Sequence, residues 1–322
     1  MSPRLLGVVL VLVSACSFGS GALFAKPVYA AGLDWLTVLA WRFLVGATLS
    51  WAWVLASAAR RAALRALPPS QVAAGIALGL LYVGNSATYY AGIETVDVSL
   101  AALIVYIYPA IVAVLALFIG RRLGGLRAWG SLGLALAGVI LAVGGIDPTD
   151  RPPLIGLVQI AASPLIYSAW IVLAARLTGE RRDATGGESV AGAEAAPAAA
   201  IMITATGVAY WVGAVLVGRP TMAVAIPTQA WPPLLGIGAI ASFLAIQTFT
   251  AGARRIGAAQ AALLSTIEPL WTVALAWLLL GESLTIVQAA GGTLILAGVV
   301  LSQVSPELLG PRLRPLVRVA DE

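Results

Sequence analysis

The chain has 322 residues, 60% hydrophobic and 10% charged, with a mean hydropathy of +0.96. A water-soluble domain carries about 45–50% apolar and about 25% charged residues, so this composition excludes a soluble globule and points to an integral membrane protein. Histidine is absent and Cys16 is the lone cysteine, which excludes histidine-based acid–base chemistry, a Cys/His zinc site and an intrachain disulfide.

A helix crosses the hydrocarbon with about 20 mostly apolar residues. Ten such stretches are predicted, at 5–25, 35–57, 71–92, 98–119, 126–145, 154–176, 198–217, 231–252, 258–280 and 286–304. The first follows Arg4 and is read as a retained helix, because it is longer than a signal-peptide core and nine more spans follow. The longest polar stretch, 179–197, is rich in small residues and predicts a flexible loop. The tail, 305–322, contains Pro306, Pro311 and Pro315 and is expected to be irregular.

The net charge of +5 is explained by topology, not by a nucleic-acid partner. Lys and Arg accumulate in cytoplasmic loops. With ten spans, one side holds 15 basic residues, in Arg4, Arg60/Arg61/Arg65, Arg121/Arg122/Arg127, Arg176/Arg181/Arg182, Arg254/Arg255 and Arg312/Arg314/Arg318. The other side holds 3, Lys26, Arg151 and Arg219, while Arg42 lies inside a span. Both termini and the 179–197 loop are therefore expected in the cytoplasm.

An internal repeat organises the spans. Residues 91–141 laid on 251–301 without gaps give 15 identities in 51 positions, among them Pro109/Pro269 and Ala137-Gly138-Val139/Ala297-Gly298-Val299. Chance in so Ala- and Leu-rich a chain gives roughly a tenth. The match aligns spans four and five with nine and ten. It divides the chain into a first five-span repeat, 1–150, and a second, 151–304. Five is odd, so the second half enters the membrane from the opposite side. Inverted repeats of this kind place a substrate site near the midplane. The predicted fold is all-α integral membrane, with ten transmembrane helices as two inverted five-helix repeats.

The two copies YIYPAIVAVLALFIG and TIEPLWTVALAWLLLGE, with Arg42-Phe43 near the start of span two, resemble the EamA-type ten-helix branch of the drug/metabolite transporter superfamily. The resemblance covers about residues 5–304. Within that branch Tyr106-Ile107-Tyr108-Pro109 is similar to the aromatic-aliphatic-aromatic-Pro motif of the YddG-type aromatic amino-acid exporters, whereas Thr266-Ile267-Glu268-Pro269 departs from it. The resemblance implies an inner-membrane exporter shaped as a ten-helix basket with a central cavity.

Polar residues inside the spans mark the candidate site. Tyr82, Asn85, Ser86 and Tyr89 fall on one face of span three, Ser163, Tyr167 and Trp170 on one face of span six, and Phe243, Gln247 and Thr250 on one face of span eight. Tyr106 in span four, Ser265, Glu268, Trp271 and Thr272 in span nine, and Phe18 in span one complete the set. Each stripe alone is equally a packing face. Together they predict a cavity for an aromatic solute, whose ring would stack and whose ammonium would meet ring faces.

Glu268 and Arg42 are the charges inside spans, and such charges face the bundle interior. Three roles are open to Glu268: proton coupling, counter-charge for a substrate ammonium, or a structural partner. For Arg42, snorkelling or a structural ion pair is favoured over substrate binding. Pro109 and Pro269 are kinks, read either as hinges or as static bends. Trp35, Trp41, Trp51, Trp53, Trp129 and Trp231 read as structural, several of them as interfacial anchors. Gly130, Gly133, Gly138, Gly291, Gly292 and Gly298 permit close helix packing.

The expected function is alternating-access export of small metabolites, with aromatic amino acids and related aromatic or cationic compounds first. Export of another metabolite or drug, or translocation of a lipid-linked sugar, is the alternative within the superfamily. A membrane enzyme is the rival of another class, and Glu268 stands almost alone as its active-site acid. No Walker motif is present, so ATP is not the direct driver. No cofactor, metal or nucleic acid is expected. The partners are a small-molecule substrate and the lipid bilayer, the carrier is expected to be a monomer, and the location is the bacterial inner membrane.

Overall fold

A computed structural model describes residues 2–118, 125–146, 151–177, 195–256, 261 and 264–303. Residues 179–194 of the predicted loop and the 305–322 tail lie outside them. Among the described residues every regular element is a helix. In chain order these are α1 (Pro3–Gly19), α2 (Gly21–Ala30), α3 (Trp35–Leu55), α4 (Ala58–Arg65), α5 (Pro69–Gly92), α6 (Val98–Val105), α7 (Tyr108–Phe118), α8 (Gly125–Gly144), α9 (Leu154–Leu177) and α10 (Ala195–Leu216). Then come α11 (Trp231–Gly238), a π turn (Ala239–Leu244), α12 (Ala245–Ile256), α13 (Ile267–Leu275) with a second π turn (Ala276–Leu280), and α14 (Ile286–Gln303).

Six helical stretches are long and apolar enough to cross a membrane: Pro3–Ala30, Trp35–Leu55, Pro69–Gly92, Leu154–Ile171, Ala196–Leu216 and Thr228–Ala253. Four shorter apolar stretches are Val98–Val112, Trp129–Gly144, Ile267–Leu280 and Ile286–Leu301. All overlap predicted stretches, and the ends follow local chemistry. Ser2 accepts from the Leu5 N–H and Asp34 from the Thr37 N–H, so each closes a helix start. Helix α4, which hydropathy did not predict, is basic. Its Arg60 and Arg61 donate to the Trp53 and Leu55 carbonyls at the end of α3, where intrahelical donors run out.

The two proline motifs sit where helices break. Turns at Tyr106–Ile107 separate α6 from α7, and turns at Ser265–Thr266 precede α13. Pro109 and Pro269 therefore lie in the first turn of the following helix, where a missing N–H is tolerated, rather than kinking a continuous helix as expected.

Packing recurs in pairs. Helices α8 and α14 run antiparallel, with Gly145 against Gln288, Gly138 against Ile295 and Gly298 against Ala135. A Cβ on Gly138 would lie 2.5 Å from the Gly291 carbonyl oxygen, and one on Gly298 2.6 Å from that of Ser131. The offset that lays residues 91–141 on 251–301 carries Gly138 onto Gly298 and Ser131 onto Gly291. Likewise α1 packs on α12 and α9 on α5. A Cβ on Gly7 would meet Ile256 at 2.6 Å, and one on Gly156 would meet Val96 at 3.0 Å.

Helix α3 meets α11 as α10 meets α5: a Cβ on Gly238 would strike Val45 and the Arg42 carbonyl, and one on Gly79 would strike Ala205 and the Met202 carbonyl. The same offset carries Arg42 onto Met202 and Val45 onto Ala205. Between Gly238 and Gly252 the chain has one residue more than between Gly79 and Gly92, and the interval contains the π turn Ala239–Leu244. A π turn closes i→i+5 hydrogen bonds and so accommodates an extra residue.

Candidate functional site

The predicted aromatics of α5 and α9 meet those of α3 and α7 in one continuous cluster. Tyr82 lies edge-on to Phe43, Tyr167 and Trp170, at centroid distances of 6.1, 6.4 and 5.4 Å. Tyr167 and Trp170 stack at 5.8 Å with 13° between their planes. Tyr167 then meets Tyr108 at 4.8 Å, and Tyr108 meets Tyr106 at 5.5 Å. Edge-to-face and offset-stacked geometries are the favourable ones for such rings. At the other end Phe43 stacks on Tyr210 at 5.5 Å.

Several polar groups of this cluster bond to backbone or to short side chains, as low-dielectric burial favours. Trp170 Nε1 donates to the Leu78 carbonyl, which ties α9 to α5. Tyr210 donates to the Val83 carbonyl and lies 2.7 Å from the Ser86 hydroxyl. Ser163 donates to Asn85 Oδ1 at 2.9 Å, so two predicted stripes meet face to face. Tyr89 is beside Tyr90, at 5.3 Å.

Arg42 is 6% exposed and does not snorkel. Its Nε donates to Ser242 Oγ at 2.8 Å and its terminal nitrogen to the Ala241 carbonyl at 3.4 Å, both in the π turn. The guanidinium lies 4.9 Å from the Tyr90 ring centre and 5.2 Å from that of Phe43. Among the described residues no carboxylate pairs with it, so the expected structural ion pair is not seen either. The π turn replaces both expectations: its hydroxyl and carbonyl hold the head group inside.

Glu268 is partly buried on α13. The α1–α2 interruption at Ser20 packs beside it. A Cβ on Gly19 would lie 3.4 Å from Glu268 Cγ and 2.7 Å from Thr272 Oγ1. One on Gly21 would lie 2.8 Å from the Tyr90 hydroxyl. Thus Gly19-Ser20-Gly21 bridges the Glu268 neighbourhood and that of Tyr90 and Arg42. The sequence signal for this bridge was the Ser/Gly-rich SFGSG inside an apolar span.

Other predicted residues fall elsewhere. Phe243 pairs with the exposed Trp53 at 6.3 Å rather than with the tyrosines. Trp271 is 38% exposed and donates to Ser20 Oγ at 3.1 Å. Gln247 and Phe18 are partly buried. Trp41 is not an exposed anchor, since it packs edge-on against Trp211 and Trp231 at 5.5 and 4.8 Å. An apolar groove of about 720 Å³ lies on the outer face of α3, α5 and α10, and none of the predicted site residues lines it.

One end of the bundle is clasped across the repeat boundary. The Glu282 carboxylate accepts from the Val98 and Ser99 N–H groups at 3.0 and 2.8 Å, at the start of α6. Lys26 donates to the Val96 carbonyl beside them. Near the same loops Arg219 pairs with Asp34 at 2.8 Å, and Glu94 accepts from the Trp35 N–H. Burial raises the Glu94 carboxyl above its ordinary range, with that N–H acting against the rise. Among the described residues no three His, Cys, Asp or Glu side chains converge on a metal position.

Comparison with known proteins follows the same division of the chain. Residues 5–144 and 154–303 match the sequence profile of the EamA-like transporter family. The chain is 23% identical over 286 residues to the "Uncharacterized transporter YcbK" of Bacillus subtilis (strain 168), covering 88% of each chain. It is 26% identical over 216 residues to an "Uncharacterized transporter" of Archaeoglobus fulgidus, covering 67% of this chain and 71% of that one. A solved structure described as "Crystal structure of protein" superposes with a TM-score of 0.63 at 20% identity, over 93% of this chain and 97% of that one, which establishes likeness of fold alone.

Proposed function

The chain belongs to the EamA-like transporter family, and on that premise we propose that it is a ten-span inner-membrane exporter of aromatic amino acids and related aromatic compounds. The observation that carries the reading is the continuous run from Phe43 through Tyr82, Trp170, Tyr167 and Tyr108 to Tyr106, built by helices from different parts of the chain. Ring faces and edges of that number suit an aromatic ligand, which gains offset and edge-on contacts at low entropic cost. Asn85, Tyr89 and Glu268 supply polar groups near it, and the cavity we propose lies among them.

Alternating access needs two halves that exchange roles. The paired glycine contacts support an inverted two-fold relation, because swapping the halves exchanges Gly138·Gly291 with Gly298·Ser131. The breaks at Tyr106–Ile107 and Ser265–Thr266 are the hinges in this reading, each followed by its proline. The basic bias supports a cytoplasmic position for both termini, with the Glu282 clasp at the periplasmic end.

Counterflow in proteoliposomes tests the proposal. Vesicles loaded with unlabelled phenylalanine are expected to accumulate labelled phenylalanine transiently, with tryptophan and tyrosine competing. Counterflow no greater than in protein-free vesicles would overturn the substrate assignment.

A further inference from the structure

The fold requires no charge where Arg42 stands. By the repeat offset its counterpart is Met202, and the Met202 backbone carbonyl approaches Gly79 much as that of Arg42 approaches Gly238. The methionine does the packing on that side without a cation. The first half nevertheless carries a guanidinium, 6% exposed, with no carboxylate partner among the described residues. A buried charge of this kind is costly. Two features hold it in place: the inserted residue and π turn, which supply Ser242 Oγ and the Ala241 carbonyl, and the flanking Tyr90 and Phe43 rings.

A guanidinium has five N–H donors in a planar fork. Nε and one terminal nitrogen are engaged by the π turn, and the Tyr90 hydroxyl is a further hydrogen-bond partner of the guanidinium, so three contacts leave part of the five-donor fork for a ligand. The remaining N–H groups of such a fork match a carboxylate, which accepts hydrogen bonds from a guanidinium. Glu268 breaks the repeat in the same way, since its counterpart is Tyr108. The cation and the acid are linked through Gly19-Ser20-Gly21, next to the aromatic cluster.

We propose that Arg42 holds the carboxylate of the transported molecule, with Glu268 facing its ammonium group, so that the site selects carboxylate-bearing aromatic zwitterions over aromatic amines. The inference rests on the aromatic-substrate reading above and narrows it. Arg42 grips, the tyrosines and Trp170 take the ring, and an amine lacking the carboxylate leaves the guanidinium unsatisfied. Leaving a buried charged donor unmatched is heavily penalised, and discrimination follows from that penalty.

The test measures binding of three probes to the purified full chain by tryptophan fluorescence: phenylalanine, 3-phenylpropionate and phenethylamine. The wild type is expected to bind both carboxylates. Arg42→Met, which installs the residue that the other half carries, is expected to weaken both by at least about tenfold and to leave phenethylamine unchanged or tighter. Arg42→Lys, with a charge but no fork, is expected to fall between. Melting temperature is followed for each variant. Carboxylate binding within about twofold of wild type in Arg42→Met, or equal loss of all three probes in both variants, would overturn the proposal, as would a wild type that binds neither carboxylate. A wild type that binds 3-phenylpropionate through Arg42 but not phenylalanine would remove the amino-acid reading and leave the carboxylate anchor standing.

Discussion

The Tyr106 hydroxyl donates to the carbonyl oxygen of Ser265 at 2.5 Å, so the break in one proline motif is tied to the break in the other. Ser265 is the residue whose carbonyl an N–H at position 269 would take in a regular helix, and Pro269 has none. No water in the hydrocarbon makes up that loss, and a protein donor must. The Glu268 N–H supplies one, at 3.0 Å, and Tyr106 supplies the other.

Tyr106→Phe removes this donor and keeps the ring. We expect a loss of about 1 kcal/mol in stability, seen as a lower melting temperature in detergent, and slowed exchange. A variant with wild-type melting and exchange would show that the link between the two breaks is idle.

Trp170→Ala and Tyr82→Ala should each weaken transport of an aromatic solute while the protein still reaches the membrane. Trp170→Phe keeps a ring for Tyr167 to stack on but loses the bond to the Leu78 carbonyl, and should retain more activity than Trp170→Ala. Near wild-type transport by both alanine variants would assign the cluster to helix packing.

Gly138→Ala and Gly298→Ala should cost similar amounts, about 1–3 kcal/mol each, because a methyl group at either meets backbone across the α8–α14 contact. Gly130→Ala meets nothing within 4 Å and should be neutral or stabilising by up to about 1 kcal/mol. Melting curves of the three check this, and a large difference between the first two would contradict the paired geometry.

Glu268→Gln keeps shape and hydrogen bonding but loses the negative charge. With the acid as counter-charge, phenylalanine exchange should drop about tenfold while 3-phenylpropionate binding survives. Intact phenylalanine exchange with abolished accumulation driven by a pH gradient would instead make Glu268 a proton carrier.

Hydropathy located the apolar stretches because each crossing needs one, and the helix ends differ from them by only a few residues at most described ends. The stripes of α5 and α9 were legible because a membrane helix that points Tyr82, Asn85, Tyr167 and Trp170 one way must give them company. Phe243 was misjudged by the same rule. Regular helical spacing was assumed through a stretch where the π turn Ala239–Leu244 shifts the register, and the ring faces Trp53. Arg42 was read by its depth alone. One additional residue in an apolar span leaves hydropathy unchanged, so the turn that holds the guanidinium had no compositional trace. Aligning span three with span eight would have exposed it.

The mismatch of Arg42 with Met202, and of Glu268 with Tyr108, bears on whether the two halves could ever serve as separate chains. A pair of first halves would bring two guanidiniums to the proposed site and no acid, with no π turn to hold either. A pair of second halves would bring two carboxylates and two π turns with methionines beside them. Only the mixed pair carries one charge of each sign. In the proposed site the two halves are complements, and the covalent link between them makes every molecule the mixed kind.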